Sequence, residues 1–271
     1  MATTRIIQVL PYDPTWPSLF QTQAQALEKA LGENLISIHH IGSTSVEGLS
    51  AKPIIDIIPQ VKDILAVDKS NEAMAELGYT VKGEYGIPFR RFFSKPHFNV
   101  HVFEQGSTEI ERHLNFTAYL RAHPVYLKAY QQVKEDAAQK YTDDIVAYCN
   151  AKDALIQEID NLAGPAYLRV VQTCLDSEWE AYHRIYEEQV FRKQNNSYDS
   201  NAYFFTDSNH RHFILRKGSD MIGILHLEFV RKKNAIIHAL ALAGNHQNKE
   251  NETFLYAFAK KWLRHQGKIL I

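Results

Sequence analysis

Cysteines are scarce in this sequence, and long apolar runs are missing. The 271 residues include 2 cysteines, Cys149 and Cys174, in different segments, too few for a disulfide framework. No apolar run approaches the roughly 20 residues that a membrane-spanning helix needs, and residues 1–6 lack the apolar segment of a signal peptide. These absences argue against a disulfide-rich secreted domain and against a membrane protein, and they predict a soluble cytoplasmic protein.

An excess of charge of either sign is also missing. The sequence has 30 Lys and Arg against 31 Asp and Glu, a net charge of −1, and 13 histidines that are mostly neutral at pH 7. Such a chain has no global attraction to nucleic acid or to anionic membranes, so neither is expected as a partner. The length accommodates one large domain or two ordinary ones.

Gly164-Pro165 interrupts the pattern of the chain and predicts two domains, residues 1–164 and 165–271. Both domains mix helical and strand periodicity, so the predicted fold class is α/β. In the first domain the predicted helices cover 16–31, 63–77, 109–122 and 124 onward, with another from a Thr142 cap to about 162, and the strands cover 35–41, 54–58, 79–82, 91–94 and 98–104. In the second, strands are predicted over 168–173, 212–216, 221–230, 235–243 and 268–271, helices around 179–186 and over 250–266, and a polar loop over 192–201.

A small-residue turn is followed by a lysine and an acid in the first domain. The apolar run 35–41 leads into Gly42-Ser43-Thr44, Lys52 follows, and the next apolar run carries a single acid, Asp56. Backbone N–H groups of such a turn can bind phosphate oxygens, the lysine can offset charge and the carboxylate can ligate Mg²⁺. The pattern predicts a nucleotide or related phosphate ligand. The alternatives are a purely structural turn and a buried acid paired with Lys52 or Arg91.

A second set of polar residues lies further along the same domain. His97, Asn99 and His101 alternate with apolar residues, and period two places them on one face of a strand. They can line a pocket, bind a transition metal through imidazole nitrogens, or form a solvated face. Arg90 and Arg91 can grip a phosphate or be an ordinary surface pair.

Several sequence blocks in residues 6–160 together resemble the GrpB family. In chain order they are Pro11-Tyr-Asp-Pro-Thr-Trp-Pro17, His40-Ile-Gly-Ser-Thr-Ser-Val46, Ala51-Lys-Pro-Ile-Ile-Asp-Ile57, Gly86-Ile-Pro-Phe-Arg-Arg-Phe92, His97-Phe-Asn-Val-His-Val102, Arg112-His-Leu-Asn-Phe116 and Tyr119-Leu-Arg-Ala-His-Pro124. The resemblance implies a nucleotidyltransferase-like fold, and Mg²⁺ is the cofactor that the pattern around Asp56 leads us to expect. Asp56 and His101 are the expected catalytic residues, with Asp56 also on the metal, and the expected ligand-binding residues are Gly42, Ser43, Thr44, Lys52, Arg90, Arg91, His97 and Asn99.

The sequence departs from the acid pattern of working nucleotidyltransferases. That superfamily follows its Gly-Ser with two acids on one strand and a third on a neighbouring strand. Here the second acid position is Ile58, and the next strand offers His97, Asn99 and His101. Two-metal phosphoryl transfer needs several carboxylates, so this set is expected to hold one ion or none. GrpB domains also occur fused to a kinase of coenzyme-A biosynthesis, which favours a coenzyme-A-type ligand.

Residues 166–271 are similar to the front part of a GNAT acetyltransferase domain. The segment Ala235-Ile-Ile-His-Ala-Leu-Ala-Leu-Ala243 matches the strand that pairs with pantetheine, so acetyl-CoA or CoA is the implied cofactor. In the pyrophosphate loop, however, the two small-residue positions are Lys249 and Asn251, whose side chains are expected to obstruct the loop. The sequence ends at Ile271, before the segment that usually completes the cleft, so the domain is expected to be incomplete.

Three functions therefore remain open from the sequence. The first is a nucleotide- or phosphate-binding enzyme domain with Mg²⁺-dependent nucleotidyl or phosphoryl transfer. The second is acetyl-CoA-dependent N-acyl transfer by the second domain, with Glu228 as a candidate general base. The third is a non-catalytic ligand-binding or interaction protein, favoured by the missing acid and the missing glycines.

Overall fold

A computed structural model describes residues 6–192 and 198–271. The chain divides into two compact units, one containing the residues up to Tyr85 with Phe89–Pro165, the other containing Gly86–Pro88 with the described part of Ala166–Ile271. Each unit has one five-stranded sheet flanked by helices, which confirms the mixed α/β class. Residues 193–197 of the predicted polar loop lie outside the described residues.

The first unit contains five helices and five strands in the described residues. Its helices are α1 Trp16–Leu31, α2 Asn71–Glu76, α3 Thr108–Ala122, α4 Pro124–Lys140 and α5 Ile145–Ala163. Its strands are β1 Leu35–Ile41, β2 Ile55–Val61, β3 Thr80–Val81, β4 Arg91–Lys95 and β5 Phe98–Glu104. The strand order is β1-β2-β5-β4-β3, in which β2 and β5 are parallel and the other neighbours antiparallel.

The two faces of this sheet differ in chemistry because side chains alternate along each strand. Ile55, Ile57, Val100 and Val102 point to one face and pack with the apolar side of α1 in a single core. The alternate residues of the two strands, which include Asp56 and its cross-strand neighbour Asn99, therefore belong to the opposite face. On that side α3, α4 and α5 pack against one another, so the polar residues of β2 and β5 lie beneath helices.

One helix and one helix cap differ from the sequence-based predictions. The helix expected over 63–77 is a 3₁₀ turn, Ala66–Ser70, followed by the short α2. Asp63 explains the late start, because its carboxylate accepts the N–H of Leu65 and so competes with a helical turn. The cap of α5 is Asp144, which accepts from two backbone N–H groups, and not Thr142.

The second unit is built on the strands β6 to β10, in the order β10-β9-β8-β7-β6. The strands are β6 Leu168–Gln172, β7 His210–Lys217, β8 Asp220–Phe229, β9 Asn234–Leu242 and β10 Ile269–Leu270, and the helices are α6 Asp176–Tyr186, continued by a π-helical turn Glu187–Phe191, and α7 Lys249–His265. Tyr182 of α6 packs with Ile214 and Ile224, whereas Trp262 of α7 meets Phe213 at a ring-centroid distance of 4.9 Å. Because Phe213 and Ile214 are consecutive strand residues, α6 and α7 cover opposite faces.

Strand β10 pairs in parallel with only the first two residues of β9, Asn234 and Ala235. Within the described residues, the rest of that edge of β9 carries no further strand. The pairing of β8 with β9 also shifts register between His226 and Leu227, so His238 has no cross-strand partner. In the same described residues, no helix combines the length and apolarity needed to cross a membrane.

Candidate functional site

A cavity of about 310 Å³ lies in the first unit, where β1 ends. Its volume is at the lower end of the ~300–1,000 Å³ typical of small-molecule pockets. The residues of the sequence-predicted set that line it are Gly42, Ser43, Thr44, Lys52, Asp56 and Asn99. The lining residues that the sequence analysis did not single out include Arg112, Tyr130, Lys134, Tyr148 and Lys152.

Gly42 is required at its position by two independent features. Ile41 pairs with Asp56 across β1 and β2, so the next residue along β1 lies beside the Asp56 carboxylate. A Cβ at position 42 would stand 2.8 Å from Asp56 Oδ2, and Gly42 has a φ of +68°, which side chains other than glycine disfavour. The chain then makes a 3₁₀ turn, Ser43–Ser45. The turn therefore brings backbone into close contact with the only carboxylate that lines the cavity among the described residues.

The Asp56 carboxylate is held by two neighbours on β5. Asn99 Nδ2 donates to Asp56 Oδ1 at 3.0 Å, and His101 Nε2 lies 3.4 Å from the same oxygen. Arg90 Nη1, which can only donate, is 3.0 Å from His101 Nδ1, so Nδ1 accepts and the proton of a neutral His101 is on Nε2. His101 thus donates to Asp56, and the period-two pattern of the sequence places these groups together.

Burial lowers the pKa of His101, although the hydrogen bond and charge of Asp56 act in the opposite direction. The imidazole is therefore neutral at pH 7, in agreement with the Nε2–H form that its contacts require. His101 is not among the residues that line the cavity. Its position suits a group that orients Asp56, while the catalytic role expected for His101 from the sequence stays a prediction.

Three lysines surround the cavity, two of them contributed by helices. Lys152 Nζ and Lys52 Nζ lie 4.0 and 4.9 Å from the ring centroid of Tyr148, and Lys134 Nζ lies 4.7 Å from that of Tyr130. Lys134 also donates to the carbonyl of Ser50. Among residues 6–192 and 198–271, none of the three lysines forms an ion pair.

Burial of Lys134 and Lys152 shifts the protonation of these two lysines toward the neutral amine. Burial lowers the pKa of Lys134 to about 7, and the charge of Lys152 acts in the same direction. Burial lowers the pKa of Lys152 to about 8; Cys149 and Asp56 oppose this and Lys52 adds to it. Lysines with depressed pKa values and no carboxylate partner favour an anion in the same space.

Arg112 at the cavity wall differs from the lysines because its charge is already compensated. Its guanidinium contacts Glu109 Oε2 at 3.1 Å and Asp160 Oδ2 at 2.9 Å. Although burial alone would lower its pKa, these two carboxylates raise it above the usual value. Arg112 is therefore a fixed cation on the wall with little net charge to offer a ligand.

Three residues that the sequence proposed for ligand binding lie away from the cavity. Arg91 pairs with Val102 across β4 and β5, which puts it on the α1 face, where it forms two hydrogen bonds with Asp68 at 2.6 and 2.9 Å. Arg90 donates to the carbonyls of Glu84 and Tyr85 and reaches Asp56 only through His101. His97 precedes β5 and bonds the carbonyl of Pro53.

The donor set fits at most one Mg²⁺ ion. Asp56 Oδ1 is occupied by Asn99 and His101, which leaves Oδ2 as the carboxylate oxygen for a metal, and Ile58 at the second acid position is fully buried and apolar. Mg²⁺ often binds one or two carboxylates together with substrate phosphates. Asp56 can hold an ion in this way, sharing it with a phosphate ligand, whereas a two-ion arrangement lacks its bridging acids.

The second unit has its own cavity, of about 750 Å³, beside the open edge of β9. Residues His238–Leu242 of that strand line it, together with Asn248, Lys249 and Glu252 at the start of α7. Lys249 stands at the cavity, as expected from the sequence. Asn251 does not: it is buried, and its amide donates to the carbonyl of His246 at 3.0 Å. The expectation that Asn251 obstructs this space is therefore wrong, because its side chain anchors the preceding turn.

The fold of the first unit, with a glycine turn facing an acid on the adjacent strand, defines an α/β domain with a lysine-lined cavity. The chain belongs to the GrpB family: the model of that family, GrpB protein, matches residues 6–161. The solved GrpB of Enterococcus faecalis is 40% identical, with a TM-score of 0.56, and the match covers 58% of this chain and 96% of that one.

Curated relatives match the same part of the chain. The UPF0157 protein YqkA of Bacillus subtilis is 41% identical over an alignment of 163 residues, and the match covers 59% of this chain and 48% of YqkA. The glutamate-rich protein GrpB of Alkalihalophilus pseudofirmus is 32% identical over an alignment of 163 residues, and the match covers 56% of this chain and 93% of that protein. The match thus spans about half the length of YqkA and nearly all of the second relative.

Proposed function

We propose that the first unit binds a phosphate-bearing small molecule of the nucleotide class in the 310 Å³ cavity. The observation that carries the proposal is the set of three lysines, Lys52, Lys134 and Lys152, around one glycine turn, without ion-pair partners among the described residues. Burying ammonium groups without an anion costs free energy. A bound phosphate removes that cost and draws both depressed pKa values back up.

The ligand's position follows from the groups that face the cavity. Phosphate oxygens lie between the lysines and the Gly42–Ser45 turn, whose backbone can approach closely because Gly42 has no side chain. Tyr130 and Tyr148 supply the aromatic wall. Asp56 carries the opposite charge and repels a bare phosphate, so a Mg²⁺ ion between Asp56 and the phosphate strengthens binding.

Two-metal nucleotidyl transfer is not expected, because Asp56 is the single carboxylate that lines the cavity among the described residues and two bridged ions need several. Mg²⁺ supplies charge neutralisation when it is bound at Asp56, and the residues of this chain bind and orient the phosphate. His101 and Asn99 keep Asp56 Oδ1 occupied and hold the carboxylate in place. The lysines provide the positive charge that a second ion would otherwise provide.

Calorimetric titration with nucleoside triphosphates and coenzyme A, with and without Mg²⁺, tests this function. Lys134→Met removes a charged hydrogen-bond donor, so we expect affinity to fall about 10- to 100-fold. Lys140→Met is the matched control, because Lys140 also lies on α4 over a tyrosine ring, 5.1 Å from the centroid of Tyr141, but does not line the cavity. Equal loss in both variants, or no binding of any phosphate compound, contradicts the proposal.

A second candidate function is binding of a coenzyme-A-type ligand by the second unit. It is favoured by the edge of β9, which is open beyond Ala235 within the described residues and lines the larger cavity together with the first turn of α7. Extended ligands can pair with such an edge, and a helix start can receive a phosphate. If coenzyme A binds here, Lys249→Glu abolishes its binding and Lys134→Met leaves it unchanged; the reverse pattern assigns it to the first unit.

A further inference from the structure

Two histidines and a glutamate come together on the α6 face of the second sheet. His210, Glu228 and His238 each offer one ligand atom, and these atoms all lie within 4.8 Å of one another. His238 Nε2 and Glu228 Oε2 are in hydrogen-bonding contact. Residues from β7, β8 and β9 thus converge although they are far apart in the sequence.

The backbone registers of three strands produce this convergence. His210 pairs directly with Glu228 across β7 and β8, so the two side chains share a face. His238 is the residue that the β8–β9 pairing skips. A residue in such a bulge is released from the ladder, and bulges commonly re-aim a side chain beside a functional site. Here the bulge places His238 against Glu228.

His210 is oriented by a chain of hydrogen bonds behind it. His210 Nδ1 lies 2.8 Å from His226 Nε2, and His226 Nδ1 lies 3.2 Å from the hydroxyl of Tyr186. His226 is fully packed in the sheet and His210 is buried. A metal-binding histidine usually uses one ring nitrogen for the ion and the other for such an orienting partner. The contact through Nδ1 leaves Nε2 of His210 as the nitrogen for a ligand.

The ordinary alternative is a surface ion pair between His238 and Glu228. Their side chains are 37% and 28% exposed, and exposed pairs of this kind are common. That alternative accounts for two of the three residues. It leaves unexplained why a buried His210 is fixed by His226 beside the pair and why the sheet is interrupted at His238.

We propose that His210, Glu228 and His238 bind one divalent transition-metal ion of the zinc class. Two imidazoles and one carboxylate form a ligand set in which Zn²⁺ keeps a coordination position open. The ligand atoms, now up to 4.8 Å apart, need separations of about 3.4 Å, as for two ligands at ~2.1 Å in a tetrahedral site, so the wider pairs must close and the hydrogen bond between His238 and Glu228 must open. Glu228 and His238 are partly exposed and can make this movement.

An ion at this site lies at the border of the larger cavity. His238 lines that cavity together with the following residues of β9. The open coordination position can therefore be taken by an oxygen or nitrogen donor of a molecule bound along β9. Mg²⁺ is not expected here, because it prefers oxygen ligands and retains its water.

Titration of the full, chelator-treated chain with Co²⁺ and Zn²⁺ tests the proposal. We expect one Co²⁺ per chain with the visible absorption of a low-coordinate site, displaced by Zn²⁺ and not by Mg²⁺. Glu228→Gln and His238→Ala each remove a ligand from a partly exposed position, so both are expected to fold, and each is expected to weaken Zn²⁺ binding by about 100-fold or more, since losing even an orienting partner costs 10–100-fold. His246→Ala, a histidine of the same unit outside the cluster, is expected to bind like the unsubstituted chain.

Two results would overturn the assignment. One is Zn²⁺ affinity in Glu228→Gln and His238→Ala equal to that of the unsubstituted chain. The other is a thiolate-to-cobalt charge-transfer band, which would place the ion on Cys149 or Cys174, the free cysteines. Because two independent variants are used, failure of one to fold leaves the other to decide. Metal-free melting temperatures establish which variants are folded.

Discussion

The backbone of Gly42 lies against the carboxylate of Asp56, so closely that a Cβ at position 42 would stand 2.8 Å from Asp56 Oδ2. The glycine that the sequence offers as a phosphate-binding turn is therefore needed first of all by the acid on the neighbouring strand. The turn and the acid are therefore packed directly against each other, and a larger residue at either position would displace the other.

The first prediction compares two glycines that both have positive φ. Gly42→Ala is expected to destabilise the protein by about 1–3 kcal/mol more than Gly48→Ala, because only the first introduces a steric clash. Gly48 has a φ of +78°, and no atom lies within 4 Å of the place that its Cβ would take, so it isolates the cost of the backbone conformation. Denaturant unfolding of both variants measures the difference, and equal losses would refute the role assigned to Asp56. Gly42→Ala is also expected to lose phosphate binding.

The second prediction separates the metal role of Asp56 from a structural one. Asp56→Asn keeps an oxygen that can accept from Asn99 and removes the negative charge. Without Mg²⁺, affinity for a nucleoside triphosphate is expected to stay the same or to rise, because a repulsive charge is gone. The increase in affinity that Mg²⁺ gives the unsubstituted chain is expected to be absent in Asp56→Asn. A variant that melts lower and keeps its full Mg²⁺ dependence would show that Asp56 serves packing alone.

The sequence located Asp56 and Lys52 of this cavity and missed Lys134 and Lys152. Period-two alternation placed Asn99 and His101 on one strand face, and the structure brings both to Asp56. The same periodicity applied to β4 separates Arg91 from that face, because Arg91 pairs with Val102. The ligand role predicted for Arg91 rested on the ability of an arginine pair to grip phosphate and did not consider which face of the strand the side chain occupies.

Lys134 and Lys152 were missed because helices distant in the sequence supply them. Only tertiary packing of α4 and α5 over the sheet brings Lys134 and Lys152 to Gly42. A local signal existed, however: Tyr130 and Lys134, like Tyr148 and Lys152, are four residues apart, a spacing that aligns two side chains on one helix face. Two helices with the same tyrosine-lysine pair indicate a shared basic surface.

The third prediction concerns the pH dependence of anion binding. Ligand-free Lys134 and Lys152 have pKa values of about 7 and about 8, and a bound dianion favours their charged forms. Sulfate affinity is therefore expected to be highest below pH 7 and to fall as pH rises through these values, by up to ~10-fold per pH unit for each proton taken up. Sulfate is a suitable probe because its own charge is constant. Lys134→Met is expected to remove the lower step, and a flat profile would contradict the lysine assignment.

The fourth prediction follows from the same two lysines in the absence of ligand. In the unfolded chain each has the ordinary lysine pKa of 10.5, so between about pH 7 and that value the unfolded state binds more protons than the folded state. The free energy of unfolding from this source rises with pH over that window. Lys134→Met is expected to flatten the rise, whereas Lys140→Met retains it. Chemical denaturation at fixed ionic strength over this range provides the measurement.

The fifth prediction concerns Asn251 in the first turn of α7, which the sequence analysis interpreted as an obstruction of a phosphate loop. The sequence suggests that replacing Asn251 by glycine would open this loop. In the structure, however, the side-chain amide of Asn251 donates to the carbonyl of His246, and the backbone N–H of Asn251 donates to Asn248 Oδ1. Asn251→Gly removes a buried hydrogen bond from a helical first turn, so we expect a loss of about 1–3 kcal/mol and weaker binding of coenzyme A. Glu250→Gly, exposed in the same turn, is the control for helix propensity alone. Tighter coenzyme A binding by Asn251→Gly with an unchanged melting temperature would restore the obstruction hypothesis.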